Sequence, residues 1–482
     1  MVIDLARLAT EIMKERGLEP EFSAEELQQL TTINHPASSS SGYQDLRSML
    51  WCSIDNDDSR DLDQLTYAER DSEQKVTLWI AIADVDALVK KGSAIDLHAQ
   101  ANTTSVYTPN KIFPMLPEKL STNLTSLNEN EDRVALVVKI QINAKGDIQD
   151  STIFQAIVRN QAQLTYSSVG PWLEGQKEPP EKVKKNEGLI KTLKIQNEAA
   201  QILKLRRHEA GSLTLESSDG EVRIDKDRMV IELSEHNFAH QLIEEFMIAA
   251  NRVVAEHLNE AKIPSLRRVV RIPKYWDRIV KVAADLGVKL PEEPDSKALD
   301  EFLIKRKKAD SDSFPNLSLT IIKLLGRGEY IVENDPEKPV GHFALAVSGY
   351  THSTAPNRRF PDLITQRQYK AFLNGKTSPY SLDELYDLAA HCSQQEDAAT
   401  KVERQMNKSA TAMVLSSQIG VVFHGIISGV GEGGTWVRLF NPAVEGKIVQ
   451  GFENLNVGDK VTVQLRFVNI SKGFIDFVRL DN

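Results

Sequence analysis

The chain has 482 residues, 41% apolar and 26% charged, with 58 Lys/Arg against 68 Asp/Glu and a formal net charge of −10. That length supports two or three domains around a large core, and no apolar run reaches the roughly 20 residues that a membrane-spanning helix needs. The two cysteines, Cys52 and Cys392, stand far apart without metal-ligand spacing, which points to a reducing, cytoplasmic setting; the acidic balance argues against a general nucleic-acid coat, though not against positive charge confined to a channel.

Residues 1–40 read as a short helical segment, two helices around Gly17-Leu18-Glu19-Pro20. The second starts at Ser23, with Glu26 three residues on completing a capping box. The polar tract Pro36–Gly42 reads as a linker. Next comes WCSIDNDDSRDLDQ, Trp51–Gln64, an apolar strand running into a turn that crowds Asp55, Asp57, Asp58, Asp61 and Asp63 together. Carboxylates packed this closely repel one another and are costly to desolvate. A divalent cation relieves both penalties, and hard oxygen donors suit Mg²⁺ or Mn²⁺. The plainer alternative is a solvated acidic loop. An EF-hand is excluded, because Arg60 occupies the position that needs glycine and Thr66 the one that needs glutamate.

Val76–Val85 is nearly continuous apolar sequence and predicts a strand buried on both faces. Ser105–Glu118, rich in proline and aromatics, predicts ordered loop; Arg133–Asn143 and Ser151–Ile157 predict strands. Glu181–Glu209 is helical and basic, which by itself suits a solvated face. Two strands then precede a helix over Phe238–Leu258, and helices run from about Pro273 to Arg327. Gly341–Gly349 predicts a strand leading to THSTAPNRRFPD, after which helices continue to about Leu415 with a break near Gly375–Pro379. From Gly420 to Leu480, five short β-branched runs separated by glycine-bearing turns predict a small closed barrel of OB type. Phe423, His424 and Trp436 are its candidates for stacking on unpaired bases, against the plainer fate of core aromatics.

Several of these stretches resemble the RNase II/RNase R family of exoribonucleases and its RNB catalytic domain. They are SIDNDDSRDLDQ, LWIAIADV, SVYTPNKIFPMLPEKLS, IEEFMIAANRVVAEHL, GHFALA and YTHSTAPNRRFPDL, in the family's order across roughly residues 45–410. The terminal barrel is similar to the RNA-binding OB domain first named in ribosomal protein S-one. The resemblance implies an α+β fold: a mixed sheet or barrel surrounded by helices over residues 41–412, then the OB barrel over 413–482. It also implies Mg²⁺-dependent 3′-to-5′ hydrolysis of single-stranded RNA to nucleoside 5′-monophosphates; by ligand chemistry Mn²⁺ is the alternative ion.

Residue by residue, Asp55, Asp61 and Asp63 match three of the family's four metal-binding aspartates, and Arg358 its essential arginine. Tyr107 matches the tyrosine that stacks on the 3′-terminal bases, and Glu245 a glutamate near the terminal nucleotide whose 2′-hydroxyl it would contact. Asp57 and Asp58 fall at spacer positions. Two departures stand out: Gln64 replaces the fourth carboxylate, offering a metal a neutral oxygen without charge, and Leu213 and Leu215 stand where relatives often place a base-clamping aromatic. Asn56 and Asp84 are further candidates to complete the carboxylate set. A competing expectation is an RNA-binding protein on a catalytically weakened RNB scaffold; a third is an adaptor that docks through its N-terminal helices.

Overall fold

The apolar run beginning at Val76 becomes the middle strand of a seven-stranded sheet. The computed structural model describes residues 3–480 apart from 41, 217–219, 226–227, 234–235, 312, 336–339 and 432. The early strands are β1 (Gln44–Asp45), β2 (Cys52–Asp55), β3 (Gln64–Arg70), β4 (Val76–Ala83), β5 (Val106–Thr108), β6 (Lys111–Phe113), β7 (Asp132–Ile142), β8 (Ile148–Arg159) and β9 (Ala162–Thr165). The sheet order is β1-β8-β7-β4-β3-β2-β9, while β5 and β6 form a separate hairpin. Strands alternate their side chains between faces, and β4 uses both. Ile80 and Ile82 enter one core with Leu193 and Phe246, whereas Ala81 and Ala83 enter the other with Leu363 and Leu388.

Helices cover both faces. They are α1 (Leu5–Glu15), α2 (Ala24–Thr32), α3 (Ala94–Asn102), α4 (Tyr166–Leu173), α5 (Glu181–Lys184), α6 (Glu187–Glu209), α7 (Phe238–Glu260), α8 (Trp276–Asp285), α9 (Ser296–Ala309), α10 (Phe314–Leu325), α11 (Phe360–Leu373) and α12 (Leu382–Leu415). The capping box forms as expected, with Ser23 accepting from the Glu26 amide and Glu26 accepting from the Ser23 amide. No helix among the described residues is long and apolar enough to cross a membrane.

The later strands are β10 (Gly220–Asp225), β11 (Arg228–Leu233), β12 (Ser265–Val269), β13 (Glu329–Glu333), β14 (Gly341–His342), β15 (Val347–Ser348), β16 (Val422–Gly431), β17 (Gly434–Leu439), β18 (Glu445–Gln450), β19 (Lys460–Asn469) and β20 (Phe474–Arg479). The last five close into a barrel of order β16-β17-β18-β20-β19. Two expectations are corrected here. Gly341–Gly349 is a tight hairpin around a 3₁₀ turn at Phe343–Leu345, because the His342 side chain accepts from the Leu345 amide and Ala346 turns left-handed at φ 51. Ser105–Glu118 opens with the β5–β6 hairpin rather than with loop.

The 34-residue α12 ties the parts together. Its first half joins the sheet core through Leu385 and Cys392, and its end enters the barrel core through Ala412 and Leu415. Where the barrel meets this helix, Gly473 sits at φ 66, and a Cβ there would lie 2.7 Å from the Lys408 Cβ. Between these ends, Val402 and Met406 pack on Leu5, Ile12 and Met13 of α1, together with Val106 and Phe113 of the β5–β6 hairpin. The apolar face of α1 is therefore spent inside the molecule, which removes the basis for reading it as a docking element. Replacing buried Ile12 (2% exposed) by Ala should cost about 2–5 kcal/mol in urea unfolding. Replacing Leu27, 48% exposed on α2, should change stability by no more than about 0.5 kcal/mol.

Candidate active site

The aspartate loop is placed by the strands on either side of it. β2 pairs parallel with β9, which sets Asp55 opposite Thr165, and β3 returns antiparallel beside β4. Between them Leu62 is fully buried in the core, and its amide donates to the Ser126 Oγ at 2.9 Å. An apolar anchor between two aspartates forces Asp61 and Asp63 to leave the loop on the side away from that core.

Each of the three aspartates has one oxygen held by a donor. The Gln64 Nε2 donates to Asp55 Oδ1 at 3.0 Å, the Asn357 amide to Asp63 Oδ1 at 2.9 Å, and the Tyr107 hydroxyl to Asp61 Oδ2 at 3.2 Å. The other oxygens of Asp55 and Asp63 are buried without a hydrogen-bond partner. Arg358 approaches Asp63 Oδ2 with its Nε at 3.6 Å while its side chain stays 46% exposed. Burial, only partly offset by Arg358, pushes the Asp63 carboxyl up to about 8. Burial likewise raises Asp55 to about 6, against the Gln64 hydrogen bond that lowers it. Two shut-in carboxylate oxygens with nothing to accept from are what hard-cation ligands look like before a cation neutralises them. The residues present therefore fit a magnesium-like ion. One oxygen from each of the three aspartates does not fall within 4.8 Å of the others in this ion-free arrangement.

The loop Ala355–Phe360 brings the remaining groups. The Asn357 side chain is fixed by the Thr125 hydroxyl at 2.6 Å, and the Arg358 carbonyl accepts from the Ser105 amide at 3.0 Å, which moors the loop to the hairpin carrying Tyr107. The two adjacent arginines part ways. Arg358 faces the aspartates, whereas Arg359 turns inward to Asp362 at 2.8 Å.

Asp55, Asp61, Asp63, Gln64, Arg358 and Tyr107 thus converge as expected from the sequence, with one change of role. Gln64 presents its amide nitrogen to Asp55, so in this structure it is a hydrogen-bond donor to that carboxyl. Spacer residue Asp57 instead accepts from the Ser167 hydroxyl at 2.7 Å, and Asn56 is exposed. Asp84 is removed from the set, because Lys370 Nζ holds it at 2.6 Å in a separate buried network. Glu245 is also corrected: it is 3% exposed, and Arg207 engages both of its oxygens, Nε at 3.0 Å and Nη2 at 2.5 Å. Each oxygen keeps a second lone pair, so the clamp fixes the carboxylate in place rather than saturating it. Leu213 is buried against the α8–α10 cluster and Leu215 packs beside it, so neither is a base clamp.

On the barrel, Phe423 is corrected from a stacking candidate to a core residue, buried edge-on to Phe477 with ring centres 6.3 Å apart. Its strand neighbour His424 is exposed, and Trp436 is half-buried on β17. The alternation of a strand dictates this split, since 423 and 424 must face opposite ways. Phe440, Phe467 and Phe474 are exposed too, and the sequence reading had not singled them out.

Sequence reasoning also missed Tyr166, whose ring stacks on His240 at 3.9 Å. Burial, and next the charge of Asp55, pushes its phenol well above the ordinary value, which sets it beside the aspartates. The missing signal was β9: once Ala162–Thr165 is recognised as a strand pairing with β2, Tyr166 follows directly at its end.

A second cluster has the make-up of a metal site. Glu19, Glu26 and His98 have ligand atoms within 4.8 Å of one another. However, Asn102 Oδ1 accepts from the Glu19 amide at 2.8 Å and its Nδ2 donates to the Glu19 carbonyl at 2.8 Å, which fixes the amide orientation. That same Nδ2 lies 3.1 Å from His98 Nε2, so Nε2 must be the bare nitrogen and Nδ1 must carry the proton toward the carboxylates. In that tautomer Nδ1 points its proton at the carboxylates instead of a lone pair at an ion.

Comparison with known proteins gives the chain its family. Residues 43–375 match the RNB domain and residues 421–480 the RNase II-type exonuclease C-terminal S1 domain. Ribonuclease R of Escherichia coli (strain K12) is 32% identical over 92% of this chain and 58% of its own length. Ribonuclease R 2 of Lactococcus lactis subsp. lactis (strain IL1403) is 31% identical over 95% of this chain and 68% of its own length. The structure of Mycoplasma genitalium RNase R in complex with ribose methylated single-stranded RNA superposes with a TM-score of 0.88 at 24% identity, covering 99% of this chain and 78% of that one. The chain spans a little over half the length of the E. coli relative. It belongs to the RNB family.

The raised Asp63 has a thermodynamic signature. In metal-free protein the native state keeps a proton that the unfolded chain loses above its ordinary 3.8, up to about 8. The native state therefore binds more protons across this window, and stability falls as pH rises through it. Calorimetry in EDTA should show Asp63→Asn melting above wild type at pH 8, the gap closing toward about pH 4. Parallel melting curves across that range would show that Asp63 ionises normally.

Proposed function

We propose that this RNB-family chain is a metal-dependent 3′-to-5′ exoribonuclease that hydrolyses single-stranded RNA to nucleoside 5′-monophosphates. The observation that carries this reading is the pair of buried oxygens on Asp55 and Asp63 that accept no hydrogen bond, with Arg358 3.6 Å from the Asp63 one. A protein with no chemistry to perform gains nothing from holding them there. We assign residues 41–412 to the catalytic domain, 413–482 to the OB-type RNA-binding domain and 1–40 to an N-terminal helical segment. A soluble, cytoplasmic setting accords with the reduced cysteines, both free and buried.

Bound by Asp55, Asp61 and Asp63, Mg²⁺, or Mn²⁺ in its place, supplies Lewis-acid compensation for the charge that develops on the phosphate. The chain's own groups do the rest. Arg358, half-exposed and aimed at the same opening, offers guanidinium donors to the scissile phosphate, where charge builds up during phosphoryl transfer. Tyr107 is 39% exposed, so one face of its ring is free to stack on the terminal bases. His424 and Trp436 on the barrel give further contacts to the strand before it reaches the site. A second reading, an RNA-binding protein on a weakened scaffold, is favoured by one observation, the neutral amide of Gln64 in place of a fourth carboxylate.

Incubation with 5′-labelled single-stranded RNA separates the two. Hydrolysis predicts stepwise 3′ shortening that requires Mg²⁺ and is lost in Asp63→Asn, with RNA binding retained because phosphate contacts elsewhere supply most of the affinity. Cleavage that survives excess EDTA would overturn the metal mechanism; no cleavage at any Mg²⁺ concentration would favour the second reading. On the barrel, Trp436→Ala should weaken RNA affinity about 5- to 10-fold, the lower end of a stacked base. Single-turnover cleavage of saturated complex should be unchanged. A slowed chemical step at saturation would place Trp436 in the reaction rather than in the grip.

A further inference from the structure

We propose that Tyr107, besides stacking on the RNA end, is a positioning residue for the aspartate site: its hydroxyl aims Asp61 and thereby tunes the affinity of that site for a divalent cation, coupling cation binding to occupancy by RNA. This rests on the reading of the aspartates as a cation site given above.

The bond from the Tyr107 hydroxyl to Asp61 Oδ2, at 3.2 Å, is the one side-chain hydrogen bond made by Asp61 among the described residues. Asp61 lies in an irregular loop with Leu62 buried behind it, so its backbone is anchored while the aim of its carboxylate rests on its side-chain partner. Asp55 and Asp63 differ, because their donors, Gln64 and the Asn357 amide, belong to buried residues. Tyr107 alone of the three donors is both a partner of an aspartate and open to solvent.

The hairpin that presents Tyr107 is itself rigid. The Tyr107 amide donates to Glu403 Oε1 of α12 at 2.9 Å, and its neighbours Val106 and Phe113 are buried against α1 and α12. A tyrosine phenol keeps its proton at neutral pH, so the hydroxyl is the donor in this bond. Donors that orient ligating carboxylates commonly contribute 10- to 100-fold in metal affinity. A ring pinned by a stacked base holds its hydroxyl in place more often than a free one. By linkage, whatever RNA does for the cation, the cation does for RNA.

Tyr107→Phe tests this, because phenylalanine keeps the stacking ring and loses only the hydroxyl. Mn²⁺ alone serves as probe, with free ion measured by electron paramagnetic resonance in the absence of RNA. Wild type is expected to bind Mn²⁺ at a site lost in Asp63→Asn, and Tyr107→Phe to bind there about tenfold more weakly. Affinity for single-stranded RNA in EDTA should agree between wild type and Tyr107→Phe within about twofold, since stacking persists. Adding a non-hydrolysable single strand should tighten Mn²⁺ binding in wild type, and by a smaller factor in the variant. Equal Mn²⁺ affinity in wild type and Tyr107→Phe overturns the proposal and leaves the cation site standing. Absence of any Mn²⁺ binding sensitive to Asp63→Asn overturns the cation site itself, and the proposal with it. An equal melting temperature for Tyr107→Phe assigns the change to the hydroxyl rather than to the fold.

Discussion

The constraint on which the rest depends is the burial of carboxylate oxygens that have no partner. Asp63 is 2% exposed, and one of its oxygens accepts nothing. Desolvating such a group costs several kcal/mol in a real protein interior, even after relaxation. The surrounding structure has to be stiff enough to impose that cost. It is stiff because β2, β3 and β9 hold the loop at both ends, Leu62 nails its middle to the core, and the Asn357 amide arrives from nearly 300 residues away in sequence. The same loop that delivers this amide delivers Arg358, so stabilisation and chemistry share one scaffold.

The continuity of α12 extends that stiffness outward. One helix contributes to the sheet core, to the α1 interface and to the barrel core in succession. Its Glu403 also anchors the backbone of Tyr107. The N-terminal helices, small and separated by a polar linker, are thereby part of the support for the ring at the mouth of the site. Mutations on α1 and mutations in the barrel should therefore not be treated as independent of Tyr107, because contacts through one packed element couple.

Much of this was legible in the sequence where local chemistry decided the outcome. The aspartate run, the capping box of α2, the amphipathic span of α7 and the five barrel strands each carry their own signal within a few residues. What escaped was set by pairing across distance. β12 and β13 are partners separated by some 60 residues of mostly helical chain, and neither is apolar enough to announce itself. Tyr166 escaped with β9. Phe423 and His424 look equally available in sequence, and only the facing of β16 separates them. The clamp of Arg207 on Glu245 joins α6 to α7, and no spacing rule reaches it.

Gln64 shows most directly what the sequence leaves open. As a letter it is the loss of a charge, and that suggests a poorer cation site. In place, it is a donor to Asp55, whose carboxyl is already pushed up to about 6 by burial, and its hydrogen bond opposes that rise. A fourth carboxylate at the same position would add a like charge beside Asp55, Asp61 and Asp63 and would donate nothing. Without a cation, that arrangement repels more strongly; with one, it neutralises better. On the cation-site reading proposed above, the amide moves the balance toward a site that would be less strained when empty and would hold an ion less tightly when filled. Such a site leaves more of its cation affinity to donors that aim the remaining carboxylates, and that is the position Tyr107 occupies toward Asp61.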